Sequence, residues 1–322
     1  MIKVSLLLCA CVSFLVSSWS ACASVSPAAG DGGEKEMVEI VYYAEDGSEC
    51  GRMKGDSADE RAEVEGKPFA KKVETKRFFG EDGKPVAIED GYSIERKIFE
   101  KKKDGETVWA TSFFDVNDKP CMALQSGFSM MRAETKPGGS VVSFYDEVGK
   151  PCVPKVLFRV ARMEMDWEKG KELMGFDKYF GTITNHNFEL RAFGVDGKPM
   201  LDPNGVARTL GRMQPDGSQI TLYYGVNGEP KQFMNRFEKV VAWYGKDGNV
   251  SEVQAQTVDG KLKDVRFGDY WFSTVKTGGD TVRLYNAAGE EVKNFTVEEF
   301  RHAWEEFLAS DDDTDYREEP AE

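Results

Sequence analysis

Histidine is nearly absent: the 322 residues hold two, His186 and His302. A histidine-based triad needs one of them beside a nucleophile, and neither lies in a nucleophile-elbow context. His186 sits in the turn-like cluster Thr184-Asn-His-Asn187, and His302 is flanked by charged residues and reads as solvent-facing. No His/Cys spacing fits a zinc site. No P-loop or glycine-rich dinucleotide motif is present. The Asp-Gly turns lack the alternating Asp-x-Asp-x-Asp-Gly pattern of a calcium loop and read as turn chemistry. The expectation is therefore no metal and no cofactor.

Positive charge is also short. Lys and Arg number 42 against 56 Asp and Glu, for a net charge of −14. Binding to phosphate backbones draws on a cationic excess, so composition argues against a nucleic-acid partner. It equally argues against attraction to anionic lipid, which leaves acylation as the route to a membrane.

What is present is a repeat. The stretch Ser143-Phe-Tyr-Asp-Glu-Val-Gly-Lys-Pro151 recurs as Arg77–Pro85, Ser112–Pro120, Ala192–Pro199 and Leu222–Pro230, with weaker copies at Tyr42-Tyr43, Trp243-Tyr244 and Leu284-Tyr285. Runs such as Val141–Tyr145 and Ile220–Tyr224 have the aromatic, β-branched composition of strands. The Asp-Gly or Asn-Gly that follows supplies the φ > 0 position of a tight turn. The proline two residues later ends the ladder and redirects the chain. A second turn (Lys103-Asp-Gly105, Pro137-Gly-Gly139, Pro215-Asp-Gly217) and a third landmark (Asp90-Gly-Tyr92, Ser126-Gly-Phe128, Asn204-Gly-Val206) keep the same order in three units.

A lone hairpin cannot bury a core, so neighbouring units must pair or stack. The expected fold is all-β: an antiparallel β-hairpin repeat array over residues 41–295, an elongated meander or a solenoid-like sheet. The long step between Tyr145 and Phe193 suggests an extra hairpin, with Val156–Met165 and Leu173–Phe180 as its arms. A helix over Arg159–Phe180 is the local alternative. The short step from Tyr224 to Tyr244 suggests a unit without its second arm. The 21 Phe, 11 Tyr and 6 Trp are ample for a packed core, and core packing is the first reading of most of them; a sugar-binding ladder is the other.

The segments Tyr145-Asp146-Glu-Val-Gly149-Lys150 and Tyr244-Gly-Lys-Asp-Gly248-Asn249 resemble the YD-type or RHS-like hairpin repeats of bacterial surface proteins. The likeness covers residues 41–292. Most units here carry Gly where that family has Asp after the aromatic, and the period is longer. The resemblance implies a repeat style and an exported protein, not an activity.

The flanks read differently. Met1-Ile-Lys3 followed by Val4–Val16 has the basic start and apolar core of a secretory signal peptide, 1–21. Trp19-Ser-Ala-Cys22 resembles a bacterial lipobox, which implies lipid attachment at Cys22. Ala21-Cys-Ala23 also fits the small-x-small rule of ordinary signal peptidase, with a mature chain from Ser24. Residues 22–40 read as a flexible tether, and Gly51–Lys67 as a long loop or degenerate first unit. Thr296-Val-Glu-Glu299 has the form of a capping box. It opens an amphipathic helix, 296–310, with Val297, Phe300, Ala303, Trp304 and Phe307 on one face, expected to cap the last strand. Residues 311–322 form an acidic tail.

Of the cysteines outside the leader and Cys22, Cys121 and Cys152 occupy the position after the repeat proline that Val86 and Met200 hold in other units. A small buried hydrophobe is one reading. A disulfide between them would require one sheet strand per unit, because two strand spacings, about 9–10 Å, exceed the reach of a disulfide.

The functional expectation is a non-enzymatic, envelope-anchored scaffold or binding module of a bacterial surface or periplasm, with an envelope protein or polysaccharide as partner. The alternative is a carbohydrate-active enzyme or subunit whose paired carboxylates lie about 5–10 Å apart in an aromatic-lined groove.

Overall fold

The computed structural model describes residues 35–54, 69–102, 105–155, 159–167, 176–177, 182–183, 186–245 and 250–310, with backbone alone for 176–177, 182–183 and 304–310. Cys22, the leader and the acidic tail lie outside these residues, as do Val156–Phe158 and the Gly248-Asn249 turn.

The first strands are β1 (Lys35–Tyr43), β2 (Glu49–Lys54), β3 (Lys71–Phe79), β4 (Ile94–Lys101), β5 (Thr107–Phe114), β6 (Met130–Lys136), β7 (Gly139–Tyr145) and β8 (Arg162–Trp167). After two-residue β9 (Phe176–Asp177) and β10 (Thr182–Ile183) come β11 (Phe188–Phe193), β12 (Arg208–Met213), β13 (Gln219–Tyr224), β14 (Lys239–Tyr244) and β15 (Val250–Gln256). The short pair β16 (Val265–Phe267) and β17 (Tyr270–Phe272) precedes β18 (Thr274–Gly278), β19 (Thr281–Tyr285) and β20 (Glu291–Thr296). The chain then enters α1 (Val297–Ser310).

Sixteen of these strands form one antiparallel sheet, in the order β2-β1-β3-β4-β5-β6-β7-β8-β11-β12-β13-β14-β15-β18-β19-β20. It is a meander throughout, save that β1 lies between β2 and β3. Strands β2 and β20 are its open ends, so the sheet does not close into a barrel. The fold is the expected hairpin array. β1 begins at Lys35, inside the stretch that reads as tether, because Val38, Ile40 and Tyr42 alternate inward.

Each strong copy of the repeat makes the same crossover. Gly83 N–H donates to the Gly80 carbonyl and Gly80 N–H to the Lys84 carbonyl, each at 2.9 Å, closing the turn. Pro85 then bridges Phe79, as Pro120 bridges Phe114, Pro151 Tyr145, Pro199 Phe193 and Pro230 Tyr224. Proline has no N–H to continue the ladder, and the chain leaves the strand to run over one face of the sheet. There it makes a tight loop, with Ile88 N–H donating to the Tyr92 carbonyl and Ala123 N–H to that of Phe128. It re-enters the sheet as the strand next to the one it left, β4 beside β3 and β6 beside β5. These loops form a second layer, and they touch one another. Leu124 N–H donates to the Asp90 carbonyl (2.8 Å), Lys155 N–H to Ser126 (2.9 Å) and Met234 N–H to Asn204 (2.8 Å).

The core lies between the sheet and this loop layer. Phe78, Tyr92, Phe113, Phe128 and Phe144 form a continuous aromatic row with successive ring centroids 5.9, 4.5, 5.6 and 5.4 Å apart. Members from strands alternate with members from loops, so the row joins the two layers. In the C-terminal half Tyr223 stacks on Phe233 at 5.0 Å, and Phe267, Phe272, Phe295 and Phe300 gather around β16 and β17.

Three expectations need correction. The weak copies at Tyr43, Tyr244 and Tyr285 are not crossovers. Each runs into a bulged full hairpin, β1–β2, β14–β15 and β19–β20, with Glu49, Val250 or Glu291 where the crossovers have proline. The sixth crossover is at Gln256, bridged to Leu262; counted there, the step from Tyr224 is 32 residues and the short unit disappears. The second correction concerns the long step. β8 and β11 pair directly, and the extra pair is β9–β10, embedded in the connection between them. The helical alternative fails at Arg162–Trp167, which is β8. The third concerns α1. Its Val297, Phe300 and Ala303 pack on the loop-side core, leaving the outer edge of β20 without a strand neighbour. Its start is the capping box as read: Thr296 N–H donates to Glu299 Oε2 (2.7 Å) and Glu299 N–H to Thr296 Oγ1 (3.2 Å). Trp304 and Phe307 lie outside the described side chains.

Candidate binding face

The face away from the loops has its own pattern. Period-2 alternation places the first aromatic of each repeat pair in the core and the second on this outer face. Phe114, Phe193, Tyr224 and Tyr285 therefore lie on it, and register brings a cation over each. Arg162 pairs with Phe193 and Arg208 with Tyr224 directly across the strands. Their guanidinium carbons sit 4.4 and 5.3 Å from the ring centroids. Arg96 lies 4.5 Å from the Phe114 centroid and Lys276 Nζ 5.5 Å from that of Tyr285. Such pairs contribute about 0.5–1 kcal/mol at exposed sites.

Ion pairs occupy other positions on it. Arg191 reaches Glu164 (3.1 Å) and Asp166 (2.5 Å), Arg208 reaches Glu189 (2.9 Å), and Arg77 and Arg96 share Asp118. Along β15 an amide relay runs from Gln256 Nε2 to Gln254 Oε1 and from Gln254 Nε2 to Glu252 Oε1, each 2.9 Å. This half-exposed surface mixes these polar pairs with apolar side chains such as Leu222 and Trp243, which register places opposite Lys239 and Glu252.

The loop side offers a shallow cleft of about 380 Å³ lined by Pro230, Lys231, Gln232, Asn235, Glu238 and Val258. Its one carboxylate, Glu238, takes a 2.7 Å bond from Lys263 and the Val258 N–H at 3.2 Å. The Lys263 bond holds it below the ordinary glutamate range, which suits a permanent anion and not a general acid.

Cys121 and Cys152 are free, half-buried thiols packed against the aromatic row. Two sheet strands separate successive crossovers, the arrangement in which a disulfide is out of reach. Burial pushes Cys121 up and Cys152 to about 11. His302 is exposed on α1. His186 is not the surface turn its neighbours suggest: it is buried, and its carbonyl accepts a 2.5 Å bond from Gln219 Nε2. Tyr244 hydroxyl donates to Gln219 Oε1 at 3.0 Å. Gln219 and Thr221 are wholly buried. Sequence reading missed this polar cluster, although Gln219 and Thr221 occupy the same inward alternation as Tyr223. Among the described residues no three His, Cys, Asp or Glu side chains gather as a metal ion would require.

Comparison of the chain with protein-family models, with curated proteins and with solved structures returned no match.

Proposed function

We propose that the chain is a non-enzymatic scaffold or binding module, exported and held at a bacterial envelope by a lipid on Cys22. One observation carries the binding reading: sixteen strands present a single open face whose polar groups are fixed in place by cation–π contacts and ion pairs. A surface ordered before a partner arrives loses less entropy on binding. The repeat adds strands two at a time, which lengthens such a face without new design. The address rests on the leader and the lipobox-like Trp19–Cys22.

Two experiments test it. Cells producing the full-length chain are fractionated, and the mature N-terminus is read by mass spectrometry. The proposal expects membrane association and an acylated Cys22, both lost in Cys22→Ala. A mature chain starting at Ser24 without an acyl group would remove the anchor. The purified chain is then incubated with isolated envelopes. Co-sedimentation beyond a chain-only control is expected, and its absence would remove the binding role.

A further inference from the structure

The protein carries −14 overall, yet one part of its outer face is positive. On β12, β13, β14, β15, β18 and β19 that face holds five cations, Arg208, Arg212, Lys239, Lys276 and Arg283, against one carboxylate, Glu252. Glu252 is paired with Lys276 (3.5 Å), and Arg208 with Glu189 of β11. Arg212 and Arg283 are exposed. Arg212 donates to the backbone carbonyls of Phe188 (3.4 Å) and Gly211 (3.1 Å), and no carboxylate among the described residues pairs with either arginine. They stand on strands five steps apart, about 24 Å at ordinary strand spacing. Between them the Gln254–Gln256 relay offers hydrogen-bonding amides.

We propose that this face binds a linear acidic glycan lying across the strands, its carboxylates on Arg212 and Arg283 and its hydroxyls on the Gln254 and Gln256 amides. The inference rests on the binding-module reading. Charge complementarity selects an anionic polymer. Two features favour a glycan over nucleic acid. The faces of Tyr224 and Tyr285 are already covered by Arg208 and Lys276, so these two rings give bases little on which to stack. The Gln254 and Gln256 amides between the arginines match hydroxyls, which a glycan carries on every sugar and a DNA backbone lacks.

The test is affinity electrophoresis of the full-length chain, in mild detergent, through gels containing polygalacturonate. The same polymer fully methyl-esterified supplies the neutral control, and single-stranded DNA the other polyanion. Retardation by polygalacturonate is expected, weakening with salt and absent with the ester. The double variant Arg212→Gln/Arg283→Gln should bind about tenfold more weakly with an unchanged melting temperature, while Lys84→Gln, at a remote turn, should bind normally. Equal retardation by the ester, none by polygalacturonate, full binding by the double variant, or DNA binding as tight as the glycan would each overturn the assignment. If envelopes still capture the chain in that event, the binding-module reading stands and only the glycan falls.

Discussion

Asp118 occupies a position that glycine holds in the other crossover turns. Its φ is 62°, in the left-handed region, as are Gly83 at 74°, Gly149 at 80°, Gly197 at 75° and Gly228 at 79°. That conformation costs an L-residue about 1–2 kcal/mol, least for Asp and Asn. Asp118→Gly should therefore stabilise the protein by about 0.5 kcal/mol, since the half-exposed pairs it gives up with Arg77 and Arg96 are worth little. Gly149→Ala should destabilise it by about 1 kcal/mol although a Cβ there meets nothing. Gly127→Ala should cost more, because its Cβ would lie 3.0 Å from the Lys155 backbone nitrogen. Urea titration reads all three. The thiols give a second expectation. Exposed Cys50 should alkylate rapidly at pH 8, and Cys121 and Cys152 more slowly, because their partial burial disfavours the thiolate. Rapid native labelling of all three would contradict the loop packing.

At the scale of the element, the turn chemistry was legible. Where Asp follows the aromatic, as at Asp115 and Asp146, its Oδ1 accepts the N–H groups two and four residues on. Where glycine stands there, the carboxylate has moved along the turn, two places to Asp82 or Asp196 and four to Glu229, and caps the same turn. The Asp and Gly versions of the repeat within this chain are thus substitutions within one turn geometry. What misled was taking the aromatic as the landmark of a crossover. Tyr244 has the aromatic and is a hairpin; Gln256 lacks both aromatic and proline and is a crossover. The difference lies in where the returning chain goes, a tertiary matter that turn residues do not encode. The buried Gln219 cluster was hidden for a related reason, since its partners Tyr244 and His186 come from other strands and loops. For α1, loss of the capping box in Glu299→Ala should cost about 1 kcal/mol. Phe300→Ala, buried against Phe267 and Phe295, should cost about 3–5 kcal/mol. If the two cost the same, α1 does not close the core.

At the scale of the molecule, acidity concentrates in the turns, and this sets the response to pH. Asp46 and Asp216 are held low by the hydroxyls of Ser48 and Ser218. Asp82 and Asp115 are held low by the N–H groups of Lys84 and Lys119, and Asp259 by the Thr257 hydroxyl. Each has a folded pKa below the 3.8 it would have unfolded. The stability they add is fully present above that value and is lost as pH falls below it and through the lower folded pKa. Asp202 opposes them, raised by its own burial. The melting temperature should hold from pH 7 to about 5 and fall below about 4; a rise on acidification would contradict the turn network.

The open sheet itself is tested most directly by distance. Cys50 lies on β2 and Asn294 on β20, the two ends of the sheet. With residues 1–21 removed, Cys22→Ala, Cys121→Ala and Cys152→Ala to leave Cys50 as one native site, and Asn294→Cys as the second, a fluorescent pair measures the separation by energy transfer. Sixteen strands at ordinary spacing place the ends about 70 Å apart along the sheet, so an open array predicts a separation beyond about 50 Å even after twist. A separation of about 15 Å would mean that β2 and β20 meet, that the sheet closes, and that the extended binding face does not exist.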